Sequence, residues 1–196
     1  ITADNTTLRG CANAVYTTFG GHVDIDDATI EDTSADGIYA NYGSSVRAVG
    51  ANVSRPGRHG VFAQHGSMIL ANSATITMAA QNGVYALLQS YVSCDQCVIS
   101  ASGENGVAAT NHSLVNAMRA RSNENAANGV AATRGSVVDF RRSAGALPEA
   151  SNNDSLGVRA TEQSYVATSG AVLNGNGSGP TSPTVNTINT SNSHID

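Results

Sequence analysis

Two carboxylates, Asp24 and Asp26, have a spacing that could support catalysis in this 196-residue chain. Residues two apart on a strand face the same side, so both side chains would point outward. A pair of outward carboxylates is the arrangement that glycoside hydrolysis uses. Arg47 stands one repeat after Asp24 and would lie against it in a repeating fold, so an ion pair is the other explanation. The catalytic residue therefore stays unknown, with Asp24 and Asp26 as candidates.

A repeating sequence pattern covers these residues and nearly all of the chain, so it determines where their side chains lie. A glycine followed by a small apolar segment recurs at Gly37, Gly60, Gly83, Gly106, Gly129 and Gly157. The spacing is constant except for one longer interval before Gly157, and a period of this length indicates a solenoid. Val, Ile and Ala fill the second, fourth, tenth and seventeenth positions, which indicates three short strands per repeat with small side chains inside.

The sequence therefore predicts an all-β fold, a single-stranded parallel β-helix solenoid of about seven coils, each of about 23 residues, over residues 14–173. Residues 1–13 would form a lead-in or cap. The extra residues of the long repeat lie within 144–153 and indicate a surface loop. Residues 174–196 would form a polar tail or cap, which subunits could exchange to cover the end of the solenoid.

The repeat also decides how isolated reactive residues are interpreted. Cys94 and Cys97 have the C-x-x-C spacing of a redox motif or half of a zinc site, yet they stand where other repeats have Ala. We interpret them as free cysteines buried as small apolar residues. Serines at the eighth position form a column of hydroxyls, and equivalent members argue against one nucleophile. The histidines occupy unrelated positions, so we predict no metal site and no cofactor.

Two outward columns carry the predicted contacts with partners. Aromatic and related side chains at the third and sixth positions form an external ladder, a saccharide-binding face or a subunit interface. Its members are Tyr16, Phe19, Tyr39, Tyr42, Phe62, His65 and Tyr85. The ninth position gives a second apolar column, which a trimer would bury as its subunit interface. Its members are Met68, Tyr91, Leu114, Val137 and Tyr165.

Charge and hydropathy exclude several classes of partner. The net charge is -5, with 15 carboxylates against 10 Arg, so nucleic acid is not an expected partner. No apolar run approaches the length of a membrane span, so membrane insertion is not expected. Arg119 and Arg142 would stack in adjacent coils, which calls for an anion or a carboxylate of a neighbouring subunit between them.

The coils over 14–173 and the polar segment Thr181-Ser182-Pro183-Thr184-Val185-Asn186-Thr187 resemble the distal part of bacteriophage tailspikes and tail fibres. The resemblance implies a right-handed parallel β-helix, a homotrimer, and an extracellular location on the virion tail. It also implies recognition of host surface polysaccharide, which many such proteins cleave. A pectate-lyase-like depolymerase, either hydrolase or lyase, and a bacterial surface adhesin remain the alternatives, so enzymatic activity is left open.

Overall fold

A computed structural model describes residues 1–143 and 145–177, and the backbone of residues 187–189 and 194–195. In chain order its strands are β1 (Thr7–Arg9), β2 (Val15–Thr17), β3 (His22–Asp24), β4 (Thr29–Glu31), β5 (Ile38–Ala40), β6 (Ser45–Arg47), β7 (Asn52–Ser54), β8 (Val61–Gln64), β9 (Met68–Leu70), β10 (Thr75–Thr77), β11 (Val84–Leu87), β12 (Tyr91–Ser93), β13 (Val98–Ser100), β14 (Val107–Thr110), β15 (Leu114–Asn116), β16 (Arg121–Asn123), β17 (Val130–Thr133), β18 (Val137–Asp139), β19 (Val158–Ala160), β20 (Tyr165–Ala167), β21 (Thr187–Asn189) and β22 (His194–Ile195).

These strands form three parallel sheets, and each strand pairs with its counterpart one coil away. Sheet 1 has the order β1-β4-β7-β10-β13-β16, sheet 2 the order β2-β5-β8-β11-β14-β17-β19-β21, and sheet 3 the order β22-β20-β18-β15-β12-β9-β6-β3. Val15 pairs with Ile38, its equivalent in the next repeat, and Val130 pairs with Val158 across the insertion. The predicted all-β parallel β-helix is confirmed, and its seven repeats make about six complete turns.

The interior is a set of columns of small and β-branched side chains. Ile30, Val53, Ile76 and Ile99 stack along sheet 1 with no exposed surface. In the fifth repeat Ser122 continues this column, and its hydroxyl donates to the Gly129 carbonyl oxygen at 2.6 Å. A polar side chain is accommodated there because its hydrogen bond is satisfied internally.

The insertion lies between Arg142 and Glu149, because Arg121 bridges to Glu149 across the longer spacing. Counting an uninterrupted 23-residue repeat would put Gly145 at the interior position of the sixth repeat. Because of the insertion, the fully buried Ala150 fills that position instead. Glu149 also bridges to Val172, so isolated bridges replace the third strand in the last two repeats.

The two ends of the chain add to the sheets. Thr2 bridges to Asp24, and β1 pairs with β4, so residues 1–13 extend the solenoid below the first repeat. Strands β21 and β22 pair with β19 and β20 in the same parallel sense. The rest of the predicted tail beyond residue 177, and with it any exchange between subunits, lies outside the described residues.

A serine column joins the coils along the start of sheet 3. The Ser44 backbone N–H donates to Ser67 Oγ at 3.3 Å, and Ser67 N–H donates to Ser90 Oγ at 3.2 Å. The same contact recurs up to Ser164. The hydroxyls therefore bond to backbone donors of the preceding coil and not, as a simple hydroxyl ladder would, to one another.

A second column stands just before each corner glycine. Asn105 Nδ2 donates to Asn82 Oδ1 at 2.9 Å, and Asn128 Nδ2 donates to Asn105 Oδ1 at 2.8 Å. Asp36 and His59 occupy the same position, before Gly37 and Gly60, in the two preceding repeats. Asp36 Oδ1 accepts the His59 backbone N–H at 3.1 Å, and His59 Nδ1 accepts the Asn82 N–H at 3.3 Å.

Asp36 and His59 are both buried, which shifts their pKa values in opposite directions. Burial, reinforced by the neighbouring Arg58 cation, lowers the pKa of His59 to about 4. Burial also raises the pKa of Asp36, against the lowering effects of the His59 N–H and of Arg58, whose Nη1 lies 3.5 Å from Asp36 Oδ2. Desolvation disfavours the charged form of both side chains.

The interpretation of Cys94 and Cys97 was right about burial and wrong about their covalent state. Both are fully buried in the interior, where other coils have Ala, but they form a disulfide with each other. Their Cα atoms are 5.3 Å apart across a corner of one coil, within the range that a disulfide requires. The bridge therefore closes a turn and does not connect coils.

Candidate functional site

The candidate catalytic carboxylates Asp24 and Asp26 are engaged in contacts within the fold. Strand β3 ends at Asp24, and Asp26 lies in the turn that follows. Arg47 is in register with Asp24, as expected, but its guanidinium pairs with Asp26 Oδ2 at 2.5 Å. Asp26 Oδ1 accepts the Val49 N–H at 3.0 Å, and Asp24 Oδ1 lies 2.9 Å from His22 Nε2. Corner structure and ion pairing account for both residues.

The first aromatic stack, Tyr16, Tyr39, Phe62 and Tyr85, runs up the outer face of sheet 2. Successive ring centroids are 5.2, 4.9 and 5.2 Å apart, and the upper three rings are nearly parallel. Tyr16 is 53% exposed, but Phe62 is only 4% exposed because rings cover both its faces and His59 packs at its side. Phe62 therefore supports the stack without offering a face to a ligand.

The second aromatic stack, Phe19, Tyr42 and His65, lies in the turn between sheets 2 and 3. Its rings are almost parallel, with centroids 5.1 and 4.7 Å apart. All three residues have positive φ angles, between 48° and 53°, and Phe19 is 81% exposed. A bulky residue in the left-handed region costs about 1 kcal/mol or more relative to glycine. The left-handed conformation recurs at this corner in later coils, at Leu88, Asn111, Arg134 and Glu162, so what distinguishes Phe19 is a large, mostly exposed ring at such a corner.

The groove is a recess of about 360 Å³ on sheet 2, where the first aromatic stack ends. Tyr85 is in register with Ala108, Ala131 and Arg159 of the next three coils. Because the two alanines have no bulk, the outer surface drops between the Tyr85 ring and the Arg159 side chain. These four residues form the floor and the two ends of the groove.

One wall of the groove follows the asparagine column. Asn82, Asn105 and Asn128 line it, together with Glu104. Glu104 Oε2 accepts from Asn82 Nδ2 at 2.7 Å, which fixes a carboxylate beside the Tyr85 end. Burial first, and the Glu104 charge second, raise the pKa of the Tyr85 hydroxyl above its ordinary value.

The opposite wall is a row of threonines with a pair of charges above it. Thr133 Oγ1 donates to Thr110 Oγ1 at 2.8 Å. Thr161 continues the row, and its buried Oγ1 has no hydrogen-bond partner among the described residues. Arg134 pairs with Glu162 at 3.3 Å. The groove therefore combines one aromatic face with hydroxyl, amide and charged groups along both sides.

A second hollow lies where the second aromatic stack ends at His65. Gly66, Leu88, Gln89, Asn111 and His112 complete its lining. Both stacks therefore lead into recesses at the same level of the solenoid.

Comparison with known families agrees with this geometry. A family model described as "Right handed beta helix region" matches residues 1–144. The chain belongs to this family. No curated protein matches the chain significantly. The right-handed β-helix fold is compatible with proteins that bind or degrade polysaccharides.

The groove of this right-handed β-helix was missed by sequence reasoning, apart from Tyr85. A signal was present, because the third position of the repeat changes from aromatic residues to Ala108 and Ala131 and then to Arg159. Small residues within an otherwise bulky outward column indicate a recess. The sequence prediction considered only the aromatic residues of this column and therefore did not include the recess.

Elsewhere on the β-helix, two arginines near the predicted arginine column pair with carboxylates of the same chain. Arg119 Nε donates to Asp95 Oδ1 at 3.0 Å, so Arg119 has a partner within the chain, and an anion or a neighbouring subunit's carboxylate between Arg119 and Arg142 stays a prediction. Arg121 pairs with Glu149 at 3.0 Å in the same way. Carboxylates of adjacent coils supply the compensating charge.

The apolar column at the start of the sheet 3 strands is continuous through five coils. In register, it consists of Met68, Tyr91, Leu114, Val137 and Tyr165. Met68 and Leu114 are exposed, and the other three are half-buried. Its assignment as a subunit interface stays a prediction.

Two kinds of feature are absent from the described part of the β-helix. It has no helix with the length and apolarity needed to cross a membrane. Within the same residues, no group of three or more His, Cys, Asp or Glu side chains is placed to hold a metal ion.

Proposed function

We propose that this β-helix recognises a host cell-surface polysaccharide, as the distal segment of a bacteriophage tailspike or tail fibre. The observation that carries the proposal is the exposed Phe19, held in a left-handed conformation in a stack that leads toward recessed polar surfaces. A large aromatic ring left exposed at a corner where the backbone favours glycine is characteristic of a binding surface.

The chemistry of sheet 2 suits a saccharide chain. Apolar C–H faces of a sugar pack on aromatic rings, while its hydroxyls need the dense donors and acceptors that Asn, Thr and Glu side chains supply. Tyr16 and Tyr42 expose about half of their surface, and the groove provides polar groups on two walls.

The resemblance of the coils to tailspikes supports the assembly that we propose. Three copies would pack along sheet 3, burying the column from Met68 to Tyr165, with sheet 2 facing outward on the virion tail. Sedimentation at micromolar concentration should then give three times the chain mass. A monomer that still binds polysaccharide would favour a bacterial surface adhesin instead.

Binding is tested on an array of bacterial surface polysaccharides with two matched variants. Phe19→Gly removes an exposed ring from the second stack, and Met78→Gly removes an exposed apolar residue that also has positive φ but follows sheet 1. Both changes should preserve or raise the melting temperature, since each relieves a strained backbone. Only Phe19→Gly should weaken retention, by several-fold. Equal retention of both variants, or no retained polysaccharide, would contradict the proposal.

Cleavage of the bound polysaccharide is the second candidate function, because two carboxylates, Glu104 and Glu162, line the groove. Shortened chains after incubation would reveal it. If Glu104→Gln abolishes cleavage but retains binding, the catalytic site lies in the groove. If Asp24→Asn or Asp26→Asn abolishes cleavage instead, the catalytic site lies at the corner after β3.

A further inference from the structure

We infer that the groove selects acidic saccharides, with one sugar ring on Tyr85 and an anionic substituent of a sugar further along the chain on Arg159. The inference rests on the proposed function and defines the substrate class of that site. The two arginines in the groove, Arg134 and Arg159, differ in whether a carboxylate of the chain lies beside them.

Arg134 is already neutralised, because Glu162 lies 3.3 Å from it. Arg159 is exposed on the outer face of β19 and has no ion-pair partner among the described residues. A guanidinium binds a carboxylate or phosphate oxygen pair with two parallel hydrogen bonds. Arg159 is therefore the cation in the groove that remains available to a ligand.

Thr161 provides an independent observation at the same end. It is 7% exposed, lines the groove, and its Oγ1 lacks a partner within the described residues. A buried hydroxyl without a partner is costly, and a ligand oxygen that reached it would remove that cost. The unsatisfied hydroxyl and the available guanidinium lie two residues apart on one strand and its turn.

The other end of the groove has the opposite character. The Glu104 carboxylate stands beside Tyr85 and accepts hydrogen bonds, so it suits sugar hydroxyls and repels an acid group. Arg159 lies three coils from Tyr85, roughly 14 Å at sheet spacing. This distance exceeds one sugar ring and fits a short oligosaccharide. The polarity of the groove therefore fixes the direction of the chain as well as its charge.

The test uses the array described above, followed by calorimetric titration of each retained polysaccharide. Every acidic ligand is also prepared with its uronate carboxyls reduced to alcohols, and phosphate-bearing glycans form a separate arm that distinguishes the source of the charge. We expect Arg159→Gln to weaken binding of the acidic form by about tenfold and to leave the reduced form unchanged. Arg121→Gln, which removes an exposed arginine from sheet 1, should change neither.

A second variant tests the groove without removing a charge. Ala108→Tyr would extend the first aromatic stack by one ring, as Tyr85 does above Phe62, and would fill the recess. It should keep the melting temperature and lose binding of every groove ligand. Retained polysaccharides that bind Arg159→Gln and Ala108→Tyr like the wild type would overturn the inference and leave polysaccharide recognition standing. An empty array would overturn both.

Discussion

Acid should destabilise the protein through His59, whose pKa is about 4 in the folded chain against 6.5 for the free side chain. Between these values the unfolded chain binds more protons, so the free energy of unfolding falls as pH falls from 6.5 to 4. The depressed pKa corresponds to about 3 kcal/mol of stability, present above pH 6.5 and lost below pH 4. Protonation at Nδ1 would also remove the acceptor that holds the Asn82 N–H.

The matched variant is His59→Asn, which places in this coil the residue that precedes the corner glycine in the next three coils. Its Oδ1 can accept the Asn82 N–H, and it cannot titrate. Urea denaturation at pH 7, 5.5 and 4, followed by circular dichroism, gives the free energy of unfolding for both proteins.

The comparison is needed because Asp36 acts in the opposite sense. Its raised pKa favours folding at low pH, and this contribution is lost as pH rises through the folded value. Asp36 is present in both proteins, so their difference isolates His59. A difference that stays constant from pH 7 to pH 4 would refute the assignment of the buried, neutral imidazole.

Three further changes test the columns and the disulfide. Asp36→Asn should raise the free energy of unfolding at pH 7 by about 1 kcal/mol, because an amide removes the desolvation cost of a buried carboxylate that its 3.5 Å contact with Arg58 does not offset. The gain should disappear as the pH falls through the raised pKa of Asp36 toward 3.8. Ser90→Ala should lower it by roughly 1–3 kcal/mol, since Ser67 N–H loses its acceptor, and amide exchange at Ser67 should accelerate. Replacing Cys94 and Cys97 together with Ala should cost about 2 kcal/mol in urea denaturation, the loop entropy of so short a bridge, and a larger loss would mean that the sulfurs also fill volume that Ala leaves empty.

The repeat predicted the fold because each coil is specified locally by the same few residues. Inward Val, Ile and Ala at fixed positions require three strands per coil, and the structure has them in register. The sequence placed the extra residues of the insertion only approximately, since the Gly, Pro and Asn residues that indicate a loop spread over 144–153. Only the pairing of Arg121 with Glu149 locates them.

Side-chain partners were less predictable than strands. Arg47 stacks on Asp24 but turns to Asp26, because the choice between two nearby carboxylates depends on corner geometry. Cys94 and Cys97 were correctly placed inside, yet their pairing depends on the direction of two side chains at one turn. The groove exists because Ala108 and Ala131 replace the aromatic residues of the outward column. Two small residues in such a column are harder to recognise in a sequence than a row of aromatic residues.

The coil-to-coil bonds of the serine and asparagine columns have a consequence for how such a protein can change. Removing or duplicating one whole coil of the regular repeat would leave each remaining donor facing an equivalent acceptor. The separation between the Tyr85 ring and the Arg159 guanidinium can therefore vary only in steps of one coil, about 4.8 Å. The number of coils between the Tyr85 ring and the Arg159 guanidinium would therefore set the distance between the two features of a glycan that the solenoid recognises.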